Sequence, residues 1–356
     1  MDVTLSAEQR DLQAVLRGAL DRHGSRDSHD GELWKLLSGE LGLTGLAVPE
    51  QYGGAGATAV DLAVVVVELG RSLAAVPFLQ TAVVAMVLAE STAGGAAQAM
   101  AADVLPAIAA GELVAGLAVP ADRRPTGVRD GAGLRVTGTL AHVVDGPLLG
   151  LLLTPVDVDG APALAAVRVP GPGVTVTPEP TLDRTRTQAG VQLADAPAVL
   201  LGGAATAYRA IDLLLAAVAA ECAGAARSCL DTTVAHLRAR EQFGRPLGSF
   251  QALQHRCADL AVAVESASAT GWYAAWAADA DAAGFPTAAP LAKVHNAGIF
   301  RRVAAEMIQL HGGIGFTWEH PAHRYFKRAT ATELLFGGRR WTRRRVAARA
   351  GLLRGE

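Results

Sequence analysis

The chain has 356 residues, 51% hydrophobic and 19% charged, so it exceeds one small module and carries enough apolar material to exclude a predominantly disordered state. Lys+Arg total 32 against Asp+Glu 34, a formal net charge of -2, without the cation surplus that phosphate-neutralising nucleic-acid binders need. The 3 cysteines, Cys222, Cys229 and Cys257, exclude a complete disulfide framework, and with no C-x-x-C pair and apolar helical surroundings they read as small core residues.

The first residues, Met-Asp-Val-Thr, lack the basic-then-apolar layout of a signal peptide, and a cytoplasmic protein is expected. Ser6 followed by Gln9 has the capping-box form, and Leu12, Val15, Leu16, Ala19 and Leu20 recur behind it at helical spacing. Leu33, Trp34, Leu36 and Leu37 mark a second helix. A loop, Val48-Pro49-Glu50-Gln51-Tyr52-Gly53-Gly54-Ala55-Gly56, then leads to strongly apolar helices over 60–69 and 81–88. The uncharged stretch from Ser72 to Ala89 is only marginally long enough to cross a bilayer. Pro77, Gln80 and Thr81 interrupt it, so a buried helix pair is expected and no membrane span. Gly54-Ala55-Gly56-Ala57-Thr58-Ala59 fits a G-x-G-x-x-A dinucleotide fingerprint on paper, but that fingerprint works at a strand-to-helix turn and this run sits between helices.

From Val114 to about Leu201 the period changes. Short apolar runs at 134–136, 150–153, 166–169 and 174–176 are separated by Gly, Pro and Asp clusters, as in a small β-barrel or sandwich. Helical periodicity returns after Gly203. The expected architecture is α+β and multidomain: a helical domain over 1–113, a β-barrel over 114–201 and a helical bundle of four-helix type over 202–356.

Two stretches of the last segment carry chemistry. Arg238-Ala239-Arg240-Glu241-Gln242-Phe243-Gly244-Arg245-Pro246-Leu247-Gly248-Ser249-Phe250-Gln251 ends one long helix and opens another, with Gly244 and Pro246 explaining the break. A charged helical corner is the plain reading, yet it leaves the grouping of cation, ring and amide unexplained. Gln309-Leu310-His311-Gly312-Gly313-Ile314-Gly315-Phe316-Thr317-Trp318-Glu319-His320-Pro321 follows a helix stopped by paired glycines, whose uncovered amides can approach an anionic or planar ligand.

Together these stretches resemble the acyl-CoA dehydrogenases, flavoenzymes built as helical, β-barrel and helical domains in that order. Leu46-Ala47-Val48-Pro49-Glu50-Gln51-Tyr52-Gly53-Gly54 matches the family's N-terminal pattern. Leu182-Asp183-Arg184-Thr185-Arg186 fits its middle domain, most closely in members acting on steroid side chains. The resemblance implies FAD shared between subunits, with Arg240 on a neighbour's pyrophosphate through its bidentate guanidinium. It also implies Glu241 and Gln242 along that contact, Phe243 against the adenosine half, Phe250 and Gln251 beside it, and Gln309, Leu310, His311, Gly312 and Gly313 at the adenine end. The implied activity is α,β-desaturation of an acyl-CoA or acyl-carrier thioester, with electrons passed to an electron-transfer flavoprotein. The implied assembly is a homo- or hetero-oligomer, dimer or tetramer.

The chain departs from the family where the chemistry should be. The Thr-Glu-Pro element is replaced by the text from Leu117 to Pro125, and the Trp-Ile-Thr motif by Leu140-Ala141-His142-Val143-Val144-Asp145. His142 there reads as a barrel-surface residue. Desaturation needs a carboxylate to remove the α-proton, yet Phe336 stands at the usual glutamate's place and Leu214 at the alternative one. Asp212 and Glu333 are the nearest carboxylates and the remaining candidates, although a solvated helix-end position is the plainer reading of both. Glu319 falls outside the base role, and the arginines at 339, 340, 343, 344 and 345 read as a solvated helix face. The leading expectation is the FAD-dependent dehydrogenase itself; the alternatives are a non-catalytic or half-site subunit of a heteromeric dehydrogenase and an acyl-CoA or flavin binding protein without redox activity.

Overall fold

Ser6 caps the first helix as its spacing with Gln9 requires. Its hydroxyl accepts from the Gln9 amide at 3.2 Å while its own amide donates to Gln9 Oε1 at 3.0 Å, closing the capping box of α1 (Ala7–His23). The computed structural model describes residues 5–24, 28–90, 95–120, 123–131 and 133–353. The first four residues of the chain, and Ala121 and Asp122 of the barrel-opening stretch, lie outside them.

Asp30 caps the short α2 (Gly31–Lys35), which runs on as a π-helical turn over Leu36–Glu40. The apolar helices are α3 (Ala59–Ser72), α4 (Phe78–Glu90) and α5 (Gly95–Ala109). The stretch from Ser72 to Ala89 is thus the end of one helix, a turn and most of another, and α4 is buried from Phe78 to Leu88. Its polar interruptions are structural ties: Gln80 accepts the Leu117 amide at 2.9 Å and donates to the Val144 carbonyl at 3.0 Å, while Thr81 accepts the Ala115 amide at 3.2 Å. The glycine run at 54–56 makes no strand-to-helix turn. A Cβ on Gly54 would lie 2.1 Å from the Val48 carbonyl oxygen, so glycine is there to let the loop fold back on itself.

The middle of the chain is β1 (Ala115–Leu117), β2 (Thr126–Asp130), β3 (Gly133–Val144), β4 (Leu151–Val158), β5 (Ala161–Arg168), β6 (Val174–Glu179) and β7 (Gln188–Gly203). β3 pairs β2 and β7, β5 pairs β7 and β4, and β4 returns to β2, so these strands close into a ring. Closure makes this a barrel rather than a sandwich. Leu134, Val136, Leu140, Leu152, Val156, Ala165, Val167, Val191 and Leu193 fill it.

The C-terminal helices are α6 (Ala204–Ala239), α7 (Gln251–Ala280), α8 (Phe285–His311), α9 (Ala322–Leu334) and α10 (Gly338–Arg349). The fold is the expected one, helical, then β-rich, then helical. By contacts the chain falls into two compact units, one of residues 1–25, 63–74 and 215–356, the other of residues 26–62 and 75–214. Helix α6 is long and apolar enough to span a membrane, but 89% of its most apolar window is buried in protein, as in a core helix. Cys222 and Cys229 are buried on it as expected, whereas Cys257 on α7 is only half-buried.

Candidate functional site

Helix α6 ends at Ala239, and the next residues form a tight hairpin instead of a simple helical corner. β8 (Glu241–Gln242) pairs antiparallel with β9 (Arg245–Pro246), and the two turn residues, Phe243 and Gly244, both have positive φ (57° and 76°). That is the backbone of a two-residue turn that glycine or asparagine usually occupies, so Phe243 is held there at a conformational cost and its ring stands 88% exposed. The Leu247 amide donates to the Arg240 carbonyl and the Arg240 amide to that of His236, both at 2.8 Å, which fixes the Arg240 backbone on both sides. The Arg240 side chain, with Glu241, Gln242 and Gln251, is exposed. Phe250 is half-buried, with the Arg245 guanidinium 4.0 Å from its ring centroid and Phe243 edge-on at 6.1 Å.

The second stretch comes to the same place. Gln309 is exposed on the last turn of α8, Leu310 and His311 are buried, and Gly312 ends the helix at φ 63°. A Cβ on Gly312 or Gly313 would meet nothing, so open space stands beside these amides; on Gly315 it would lie 2.4 Å from the Ile308 oxygen. Phe316 and Trp318 follow, 81% and 75% exposed, with Lys327 Nζ 4.4 Å from the Trp318 centroid.

Three imidazoles join the two stretches, which the reading of the sequence had not singled out as a group. The His311 ring lies 4.3 Å from that of His236, one turn before Arg240, and 4.1 Å from that of His320. Each residue is ordinary alone, and only their convergence from α6, α8 and the following loop makes them a stack. Nδ1 of His311 donates to the Met307 carbonyl at 2.7 Å, so its buried Nε2 carries a lone pair with no partner among the described residues. Burial, then mutual repulsion, pushes His236 down and His320 down to about 4, and burial lowers His311 as well.

These histidines are neutral in the folded chain, while an unfolded histidine protonates near 6.5. The stability the stack contributes is therefore complete above about 6.5 and is lost as pH falls toward about 4. The urea midpoint is expected to drop between pH 7 and 5, and to drop less in His320→Phe; equal slopes would show that the stack does not carry the effect.

The places expected for a base look different. Phe336 is buried in the turn between α9 and α10 with φ 56°, and Leu214 is fully buried on α6. Asp212 is not at a solvated helix end: it is buried in the third turn of α6, a correction that follows from that helix starting at Ala204. Glu333 is half-buried and pairs with Arg339 at 3.7 Å on a groove of about 610 Å³ shared with His295, Arg302 and Arg343. His142 is an exposed barrel residue, its Nδ1 2.7 Å from Glu179, and Glu319 is exposed.

The exposed guanidinium, the projecting rings and the uncovered glycine amides are chemically suited to an anionic ligand with planar ends, as FAD is. Models of the acyl-CoA dehydrogenase N-terminal domain and C-terminal domain match residues 6–112 and 201–351. Acyl-CoA dehydrogenase IpdE2 of Mycolicibacterium smegmatis is 32% identical, over 97% of this chain and 99% of its own length. A variant of the Tcur3481–Tcur3483 steroid ACAD superimposes with a TM-score of 0.89 at 33% identity, covering 98% of this chain and 99% of that one. A chain of the ChsE4–ChsE5 complex of Mycobacterium tuberculosis gives a TM-score of 0.88 at 29% identity, covering 100% of this chain and 100% of that one.

Proposed function

The chain belongs to the acyl-CoA dehydrogenase family, and from that premise we propose that it is the FAD-holding half of a heteromeric dehydrogenase whose α-proton base comes from a partner chain. The observation that carries the reading is Phe336, an apolar ring buried in a left-handed turn where family members are expected to place a carboxylate. Leu214 at the alternative position supports the same reading. The two-component names of the Tcur3481–Tcur3483 and ChsE4–ChsE5 structures support a second chain, and the steroid label of the former favours a bulky, steroid-type acyl-CoA as substrate. An electron-transfer flavoprotein is the proposed acceptor.

In this reading Arg240 would pair with the pyrophosphate of an FAD shared with a neighbouring subunit, Phe243 and Phe250 would flank its adenosine half, and the amides of Gly312 and Gly313 would receive its adenine end. Glu241, Gln242, Gln251 and Gln309 would supply polar contacts around it, with Leu310 and His311 packed behind. When bound, the flavin supplies acceptance of the substrate's β-hydrogen as hydride. The hairpin turn orients the exposed Phe243 ring, and the histidine stack holds the two halves of the site in register.

Arg240→Ala is expected to lose a charge-assisted contact worth about 1.5–3 kcal/mol, roughly ten- to a hundredfold in FAD affinity. Flavin retained per chain after gel filtration checks it, and unchanged occupancy would remove Arg240 from the site.

A further inference from the structure

Lys293 is an ammonium in a place where lysine is rarely found. It lies on α8 with 1% of its surface exposed, and among the described residues its Nζ donates to one acceptor, the Leu335 carbonyl at 3.1 Å. Among the described residues no carboxylate stands within bonding distance. The titratable neighbours are Glu333 at the end of α9, itself turned to Arg339 of α10, and the Cys222 thiol on α6. Burying an amine without an ion pair is costly. Methionine would fill similar space without that cost, so the bond to Leu335 is where the lysine's benefit lies.

That carbonyl is the node of an unusual turn. Leu335 ends α9, and the next three residues, Phe336, Gly337 and Gly338, all have left-handed φ (56°, 92° and 60°). A bulky aromatic residue does not adopt this conformation unless its surroundings over-determine it. The Leu335 oxygen also accepts the Gly338 amide at 3.3 Å, closing the turn. The Trp341 ring covers Gly337 so closely that a Cβ there would lie 2.2 Å from Cε3, and Thr342 Oγ1 donates to the Gly338 carbonyl at 2.6 Å. Lys293 reaches the same turn from α8, and a cation is well placed against a carbonyl at a helix C-terminus.

We propose that Lys293 is a positioning residue whose buried ammonium, bonded to the Leu335 carbonyl, locks the Leu335–Gly338 turn and fixes Phe336 at the position where the family's base would stand. The functional meaning of that position rests on the reading given under Proposed function, whereas the lock itself does not. Burial lowers the Lys293 pKa to about 8, against weaker opposing pulls from Cys222 and Glu333. The lock therefore passes from a charge-assisted bond to a weaker neutral one as pH rises through that value.

The test is amide hydrogen exchange on the FAD-loaded protein, corrected for intrinsic rates, with Trp341 fluorescence beside it. In Lys293→Met, exchange at Phe336–Gly338 is expected to rise at least tenfold, with the melting temperature unchanged or higher. Lys293→Gln should restore protection, and should remove the loosening expected of the wild type between pH 7 and 9. Unchanged protection in Lys293→Met, or loss of protection throughout the C-terminal helices together with a lower melting temperature, would overturn the lock. Affinity for a steroid-type enoyl-CoA, read from flavin absorbance in the assembled complex, tests the position: a shift of threefold or more in Lys293→Met supports it. No shift despite a loosened turn would refute a role for Lys293 at the site. If the wild-type complex binds no thioester, the half-site reading falls, and the exchange result alone decides on Lys293.

Discussion

Expressed without a partner, the chain is expected to desaturate acyl-CoA about 10²–10⁴-fold more slowly than a complex that supplies a carboxylate, the usual contribution of a positioned general base. Phe336 and Leu214 are buried hydrocarbon and cannot accept a proton. The remaining carboxylates do not replace them: Asp212 is enclosed within its helix packing and already engaged, and Glu333 faces Arg339 on a charged groove. Absence of the Thr-Glu-Pro element adds a further loss, since hydrogen bonds to the developing enolate supply much of the rate in such reactions. Dye-coupled reduction measured with short, medium and steroid-type acyl-CoAs, with and without the cognate second chain, checks the expectation. Asp212→Asn and Glu333→Gln run in parallel and should leave the assembled activity standing. Rapid turnover by the lone chain would sink the half-site reading, and if one of these substitutions abolished it with FAD still bound, that carboxylate would be the base.

How much of this could be read from the sequence depends on how local each feature is. The helix–β–helix order was legible because hydrophobic period and turn residues are local, and Ser6 with Gln9 specified its cap outright. The two stretches proposed to hold FAD were legible because glycine, proline and arginine stand out against apolar helices. What pairing decides was not. β7 continues over 16 residues past Pro197 and the left-handed Asp195 because β3, β5 and β6 all pair along it, with bulges against β3 and β5 absorbing the mismatch. Asp212 looked solvated because carboxylates usually are. The histidine stack and Lys293 escaped notice for a related reason: each is a lone polar residue in a helical pattern until α6, α8 and α9 meet around it.

The largest stability effect is expected at another such residue. Arg328 of α9 donates to Glu221 of α6 at 2.8 Å, with both side chains withdrawn from solvent. Glu221 lies where α3 and α6 touch backbone to backbone: a Cβ on Gly70 would be 2.2 Å from the Glu221 oxygen, and one on Gly224 1.9 Å from that of Val67. Helices this close leave no room for side chains between them, so the crossing is secured from its flanks. Glu68, fully buried on α3, accepts from Gln13, Arg17 and Arg71, and Tyr325 of α9 donates to the Arg71 carbonyl at 2.6 Å. Arg328→Met would take the guanidinium away from the buried Glu221 carboxylate, and losing one partner of a buried pair costs about 3–5 kcal/mol. That is a large share of the roughly 5–15 kcal/mol by which a domain is stable. Adding Glu221→Leu should recover more than half of the loss, because the buried charge leaves with it. Urea unfolding followed by circular dichroism measures both. A single variant within about 0.5 kcal/mol of wild type would mean that water reaches the pair and that the crossing is held without it.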